Sequence, residues 1–366
     1  MKDIRSILLL GLSLLALPIP VSAQSGIRFT RDIDSLMQSY VTTHDLPGLA
    51  IGLVQGDQLV WSEQYDHKGQ QNKQQEPLVY NIASVAKPFV ATAILLLVQE
   101  GKLSLDDPVV QYLPYFRLDS RFTAAITIRQ LLTHTSGLPS VAYEDAYTYE
   151  RVNTADDALE QYIRSLGDVK LQFKPGKKYS YSNVGYEVLG QLIAELSGQT
   201  FEAFMTARLF EPLQMQETSY FPQDFDQSRI AQPHDGHPYQ PTAGVPYNRE
   251  FSPSGNLFTT VPDLGRWMSF MLQQGVLDDF APLEQGSFEL LVSEQVDTGE
   301  GEFVGLSWYT MTSGSGEIIF HDGQDLGYRA LLLLFPGPGI GVVALVNHLD
   351  ADCNEIINLL LRSIRY

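Results

Sequence analysis

The chain is poor in cysteine, in positive charge and in long apolar runs. Its single cysteine, Cys353, leaves no internal disulfide framework to build on. With 24 Lys and Arg against 43 Asp and Glu, the formal net charge is −19, which argues against nucleic acid or an anionic lipid surface as partner. After the first two dozen residues no stretch is long enough to span a bilayer, so no stable membrane anchor is expected. There is no Gly-x-Ser-x-Gly elbow, which argues against an α/β-hydrolase. A metal reading of His234 with His237 lacks a third ligand nearby, and no internal repeat or low-complexity tract stands out.

What is present points to an exported globular enzyme. Met1 to Ala23 reads as a signal peptide. Lys2 and Arg5 form the positive region, Ile7 to Leu17 the apolar core, and Val21-Ser22-Ala23 the cleavage site. The expected compartment is periplasmic or extracellular. At 44% hydrophobic and 18% charged, with 29 Gly and 20 Pro, residues 24–366 suffice for a sizeable core.

Along the chain, Arg28 to Tyr40 has the spacing of an amphipathic helix with Ile33, Leu36 and Met37 inward. Gly48 to Val54 and Gln58 to Tyr65 read as a hairpin, and Gln70 to Glu76 as a polar loop. Near the other end, Leu306 to Met311, Glu317 to His321, Tyr328 to Phe335 and Gly341 to Asn347 read as strands. A helix from Cys353 to Ile364 follows them. These elements predict an α+β fold with one sheet assembled from both chain ends, residues 24–110 and 290–366, and a mainly helical insertion over residues 111–289. The most irregular part of that insertion is Pro222 to Asn256.

Three stretches carry chemistry. The first is Tyr80 to Gly101, YNIASVAKPFVATAILLLVQEG, where a β-like run passes through small residues into an apolar helix from Ala86 to Gln99. Ser84 stands at the junction, and Lys87 follows at the spacing that places two side chains on one helix face. The helix N-terminus adds unpaired N–H groups that suit an oxyanion. Pro88 disfavours helical geometry at Lys87, so an irregular start is expected. In the second stretch, Tyr181 and Asn183 are two apart, so that a phenol and an amide project the same way; the bland alternative is a turn with Asn183 as N-cap. The third is His321-Asp322-Gly323, expected to end a strand. The same tripeptide recurs at His234-Asp235-Gly236, where the flanking Pro233 and Pro238 suggest a surface loop.

In this order and at these separations, Ser84-Val85-Ala86-Lys87, Tyr181-Ser182-Asn183 and His321-Asp322-Gly323 resemble the three motifs of the serine β-lactamase and penicillin-binding-protein superfamily. Tyr-x-Asn is similar to the class C-like branch, with its D-Ala-D-Ala carboxypeptidases, D-aminopeptidases and esterases. LLTHTSGLP, the block from Pro175 to Gly198, the block from Ser254-Gly255-Asn256-Leu257 to Trp267 and the closing GYRALLLLFPG and VALVN segments extend the resemblance over nearly the whole mature chain.

The resemblance implies a β-lactamase/transpeptidase-like fold, a mostly antiparallel sheet flanked by helices with an inserted helical domain. It also implies a serine hydrolase that needs no metal or cofactor and works on an ester or D-amino-acid peptide through a Ser84 acyl-enzyme. Lys87 and Tyr181 are the candidate bases, and Asn183 orients Lys87 and a substrate amide. The backbone N–H groups of Ser84 and Gln324 form the oxyanion hole, and His321 and Gly323 line the substrate site. Where many relatives have Lys-Thr-Gly, this chain has His321 and Asp322, which weakens the grip on a substrate carboxylate unless Arg329 takes over that role. β-Lactam hydrolysis and a non-catalytic scaffold are the alternatives, and the oligomeric state is left open.

Overall fold

The runs YRALLLLF and IGVVALV are almost wholly apolar, and a strand carries such a run only when both its faces are covered. A computed structural model describes residues 27–71, 76–141, 152–236, 240–242, 244–245, 247–314 and 316–365. The expected signal peptide, most of the Gln70 to Glu76 loop and His237 lie outside the described residues.

Both apolar runs belong to an eight-stranded antiparallel sheet. In chain order its strands are β1 (Gly48–Gln55), β2 (Gln58–Asp66), β3 (Val296–Asp297), β4 (Phe303–Val304), β5 (Tyr309–Ser313), β6 (Gly316–Asp325), β7 (Tyr328–Phe335) and β8 (Ile340–Val346). The spatial order is β2-β1-β8-β7-β6-β5-β4-β3, so the two chain ends meet where β1 pairs with β8. Two boundaries differ from expectation. Arg28–Phe29 is a strand pairing with Ile364–Arg365, so the first helix begins only at Ile33, capped by the Asp32 side chain. The third motif lies inside β6 instead of ending it, because pairing with β7 continues through Gln324↔Arg329 and Asp325↔Tyr328.

Five helices matter for the site: α1 (Ile33–Thr43), α2 (Lys87–Gln99), α3 (Asn183–Ser197), α4 (Val261–Leu272) and α5 (Cys353–Leu361). Helices α1 and α5 cover one sheet face, packing Met37, Val41, Ile357 and Leu360 against Leu331, Leu333 and Val342. Helices α2 and α4 share the other core with Ile319, Leu332, Leu334 and Val343. Helix α4 packs directly on β1, β2 and β8, so the stretch expected to stand apart as a helical insertion in fact supplies part of the sheet's cover. Helix α2 is buried from Lys87 to Leu97, which explains its nearly uniform apolarity. Each fully buried leucine or isoleucine there contributes roughly 1.5–3 kcal/mol, so the helix that starts at the nucleophile is firmly anchored.

Candidate active site

Ser84 sits in a 3-10 turn, Ala83–Ala86, that runs directly into α2 at Lys87. The irregular start expected from Pro88 is this turn. It is entered through Ala83 at a φ of +48°, a costly conformation for a residue with a Cβ, held by the Ala83 N–H donating to Asn81 Oδ1 at 2.8 Å. In 3-10 geometry side chains three apart eclipse, so Ser84 and Lys87 stand over one another, with Nζ 2.9 Å from Oγ. Ser84 is partly exposed, whereas Lys87 is completely buried.

Lys87 Nζ also donates to the Ser254 carbonyl at 2.5 Å and lies 5.0 Å from the centroid of the Tyr181 ring. Burial, the largest influence, lowers its pKa to about 7; the nearby Glu187, Asp322 and Asp325 oppose that fall. The Tyr181 hydroxyl donates to Ser84 Oγ at 2.7 Å. Desolvation pushes the phenol well above its usual value, so it is neutral near pH 7.

Ser182, not Asn183, is the N-cap of α3, its side chain accepting from the Gly185 N–H. Asn183 is therefore the first helical residue, its N–H donating to the Ser140 carbonyl at 3.1 Å. Ser182 itself is extended, between Tyr181 and Asn183.

The third motif lies beneath the nucleophile turn. A Cβ on Gly323 would stand 2.3 Å from the Ile82 carbonyl oxygen and 3.2 Å from the Ser84 nitrogen, so β6 can approach the turn this closely only with glycine. The following residue, Gln324, turns its side chain to the other sheet face, where Arg329 Nη1 donates to Oε1 at 2.6 Å. Only the Gln324 main chain can serve the site. Arg329, considered above for a substrate carboxylate, is on that far face too, because β7 alternates and its neighbours Ala330 and Leu332 are the ones that face the Ser84 side.

His321 is buried, with Nδ1 2.7 Å from the Asp322 carbonyl and Nε2 without a partner among the described residues. Burial, and then the adjacent Lys87, lower its pKa to about 3, so it is a neutral imidazole at any ordinary pH. The second His-Asp-Gly copy is not a surface loop. His234–Asp235 pairs with Gln240–Pro241, and the buried His234 ring approaches the Asn347 carbonyl at 3.3 Å. Among the described residues no group of three or more candidate metal ligands is found, and no helix is long and apolar enough to cross a membrane.

Three participants had no role assigned from sequence. His134, inside LLTHTSGLP, accepts the Ser182 N–H at Nδ1 (3.1 Å) and lays its ring 4.4 Å from that of Tyr181, fixing the phenol from behind. Burial, then Lys87, keep it neutral. Ser254 supplies the carbonyl that holds Lys87, and Glu187 is buried close to both. The only sequence signals were the family-like blocks containing them. A main-chain carbonyl donated from a distant loop leaves no side-chain signature.

The Beta-lactamase family matches residues 33–363. "Protein flp" of Staphylococcus aureus (strain MW2) is 30% identical over 334 residues, covering 87% of this chain and 64% of that protein. The chain thus spans about 64% of the length of the curated relatives it first matches. Among solved structures, the octameric penicillin-binding protein homologue from Pyrococcus abyssi superposes with a TM-score of 0.73 at 24% identity, over 90% of this chain and 76% of that one. The D-amino acid amidase from Ochrobactrum anthropi SV3, complexed with L-phenylalanine, does so with a TM-score of 0.73 at 22% identity, over 91% and 98%.

Proposed function

The chain belongs to the β-lactamase family, and from that premise we propose that it is an exported hydrolase that cleaves ester or D-amino-acid amide and peptide bonds through a Ser84 acyl-enzyme. The observation that carries this reading is the convergence on Ser84 Oγ of Lys87 Nζ at 2.9 Å and Tyr181 Oη at 2.7 Å, from separate parts of the chain.

The two candidate bases divide the work. With its pKa near 7, the Lys87 amine takes the Ser84 proton without most of the roughly 4 kcal/mol that a free lysine would cost near neutrality. Tyr181, neutral and already donating to Oγ, passes its proton to the leaving group as the tetrahedral intermediate collapses and regains one from Lys87. The Ser84 and Gln324 N–H groups receive the oxyanion, and Asn183 orients the substrate amide. Water then releases the acyl group by the reverse sequence.

Substrate choice follows from charge. A neutral His321 in the third motif and an Arg329 turned to the far face offer no cation for a substrate carboxylate. This favours neutral esters and amides over β-lactams and free D-Ala termini. The expected partner is a small molecule, and the expected location, from Met1 to Ala23, is periplasmic or extracellular.

The test is to incubate wild type and Ser84→Ala with a fluorophosphonate, a fluorescent penicillin, p-nitrophenyl esters and D-amino-acid p-nitroanilides. Wild type should be acylated and should turn over an ester or an anilide faster than the penicillin, and the variant should do neither. Silence with all four reagents would favour a scaffold that only retains the fold, and faster penicillin turnover would favour a β-lactam hydrolase.

A further inference from the structure

Glu187 has no part in the steps above, yet its side chain is completely buried on α3, one helical turn beyond Asn183 and on the same face. Neither carboxyl oxygen has a hydrogen-bond partner among the described residues. A carboxyl buried without partners is costly and persists where something else requires it. It faces the hydroxyl and main chain of Ser254, the residue whose carbonyl accepts from Lys87 Nζ at 2.5 Å. One loop residue therefore touches the amine on one side and stands before the carboxyl on the other.

We propose that Glu187 is a positioning residue that sets the protonation state of Lys87, acting across Ser254 as the amine's buried counter-group. This rests on the reading of Lys87 as the base for Ser84. Ionised, Glu187 stabilises the ammonium and holds the resting site in its inactive, protonated form. Protonated, it leaves Lys87 as the free amine. Burial raises the Glu187 pKa, with Lys87 opposing the rise, and burial lowers that of Lys87, with Glu187 opposing the fall, so the two groups compete for a proton.

Other charged or titratable groups also face this pair. Tyr186 stands beside Glu187 on α3, and β6 contributes His321, Asp322 and Asp325. His134 and Tyr181 lie on the Lys87 side, whereas Glu250 and Tyr220 lie on the Glu187 side. All of them remain when Glu187 is replaced, so the effect of its charge can be read separately.

The experiment is the pH profile of Ser84-dependent acylation for wild type, Glu187→Gln and Glu187→Met, with a neutral ester. The acid limb should move down by about half to one pH unit in both variants, so that at pH 6 each keeps about three- to tenfold more of its own plateau rate than wild type. An acid limb unmoved in a folded variant, whatever the loss of amplitude, would reduce Glu187 to a structural role and overturn the proposal. Should neither variant fold, carbon-13 titration of the wild-type glutamate carboxyls decides. A glutamate carboxyl that stays protonated through the acid limb overturns the proposal, and glutamate carboxyls all ionised below that limb support it. The titration does not depend on turnover, so it stands apart from a failure of Ser84 to act as nucleophile.

Discussion

Gly323 presses against the nucleophile turn with no room for another carbon, since its Cβ would meet the Ile82 oxygen at 2.3 Å. Ile82 precedes Ala83, whose φ of +48° leaves the turn little freedom to yield. Gly323→Ala should therefore displace Ser84 relative to Lys87 and lower fluorophosphonate labelling on the order of 100-fold, the usual cost of a misplacement near 1 Å. A variant that labels at the wild-type rate would show that the turn yields after all. At this scale much was legible in advance. Ser84 and Lys87 combine reactive types with a local spacing, and spacing within a turn or helix determines direction; Tyr181 was legible from its motif and meets Ser84 Oγ. His134 and Glu187 were not legible, because a histidine in a helix-ending block and a glutamate in an amphipathic helix are ordinary until their burial is known.

The element that proved hardest to foresee is the irregular stretch ending at Asn256, which brings the Ser254 carbonyl to Lys87. It is held from two sides. A Cβ at Gly190 of α3 would lie 2.1 Å from Pro253 Cγ, so the loop seats directly on the helix. Arg249, buried, makes a bidentate pair with the equally buried Glu202, Nε to Oε1 at 2.9 Å and Nη2 to Oε2 at 3.1 Å, and reaches Asp156 Oδ1 at 2.5 Å. Arg249→Ala leaves the Glu202 carboxylate uncompensated and should cost about 3–5 kcal/mol in urea unfolding, whereas Arg249→Met with Glu202→Leu should recover most of it. A single-variant loss below about 1 kcal/mol would show that the clamp is not a source of stability. The strands Gly48–Gln55, Gln58–Asp66, Tyr328–Phe335 and Ile340–Val346, by contrast, were read to within about a residue at each end, because period-two and all-apolar runs need no knowledge of partners, whereas the short Val296–Asp297 and Phe303–Val304 were not read at all.

Over the whole molecule the charge of −19 acts on substrates before any contact is made. A carboxylate-bearing p-nitrophenyl ester should acylate Ser84 faster as salt screens this field, by roughly two- to fivefold in kcat/KM between about 0.02 M and about 0.2 M. Its neutral analogue should change little, and equal responses from the two esters would rule out long-range repulsion. Charge, like the ordered motifs, is a property of the residue list alone, and so is the presence of one sheet drawn from both chain ends, since apolar periodicity specifies strands locally. Folding was needed for the rest. It turned Arg329 away from Ser84, left His321 a neutral imidazole, laid α4 on the sheet and placed Glu187 and the Ser254 carbonyl around Lys87. These depend on desolvation and on contacts between distant segments, and neither quantity exists until the chain has packed.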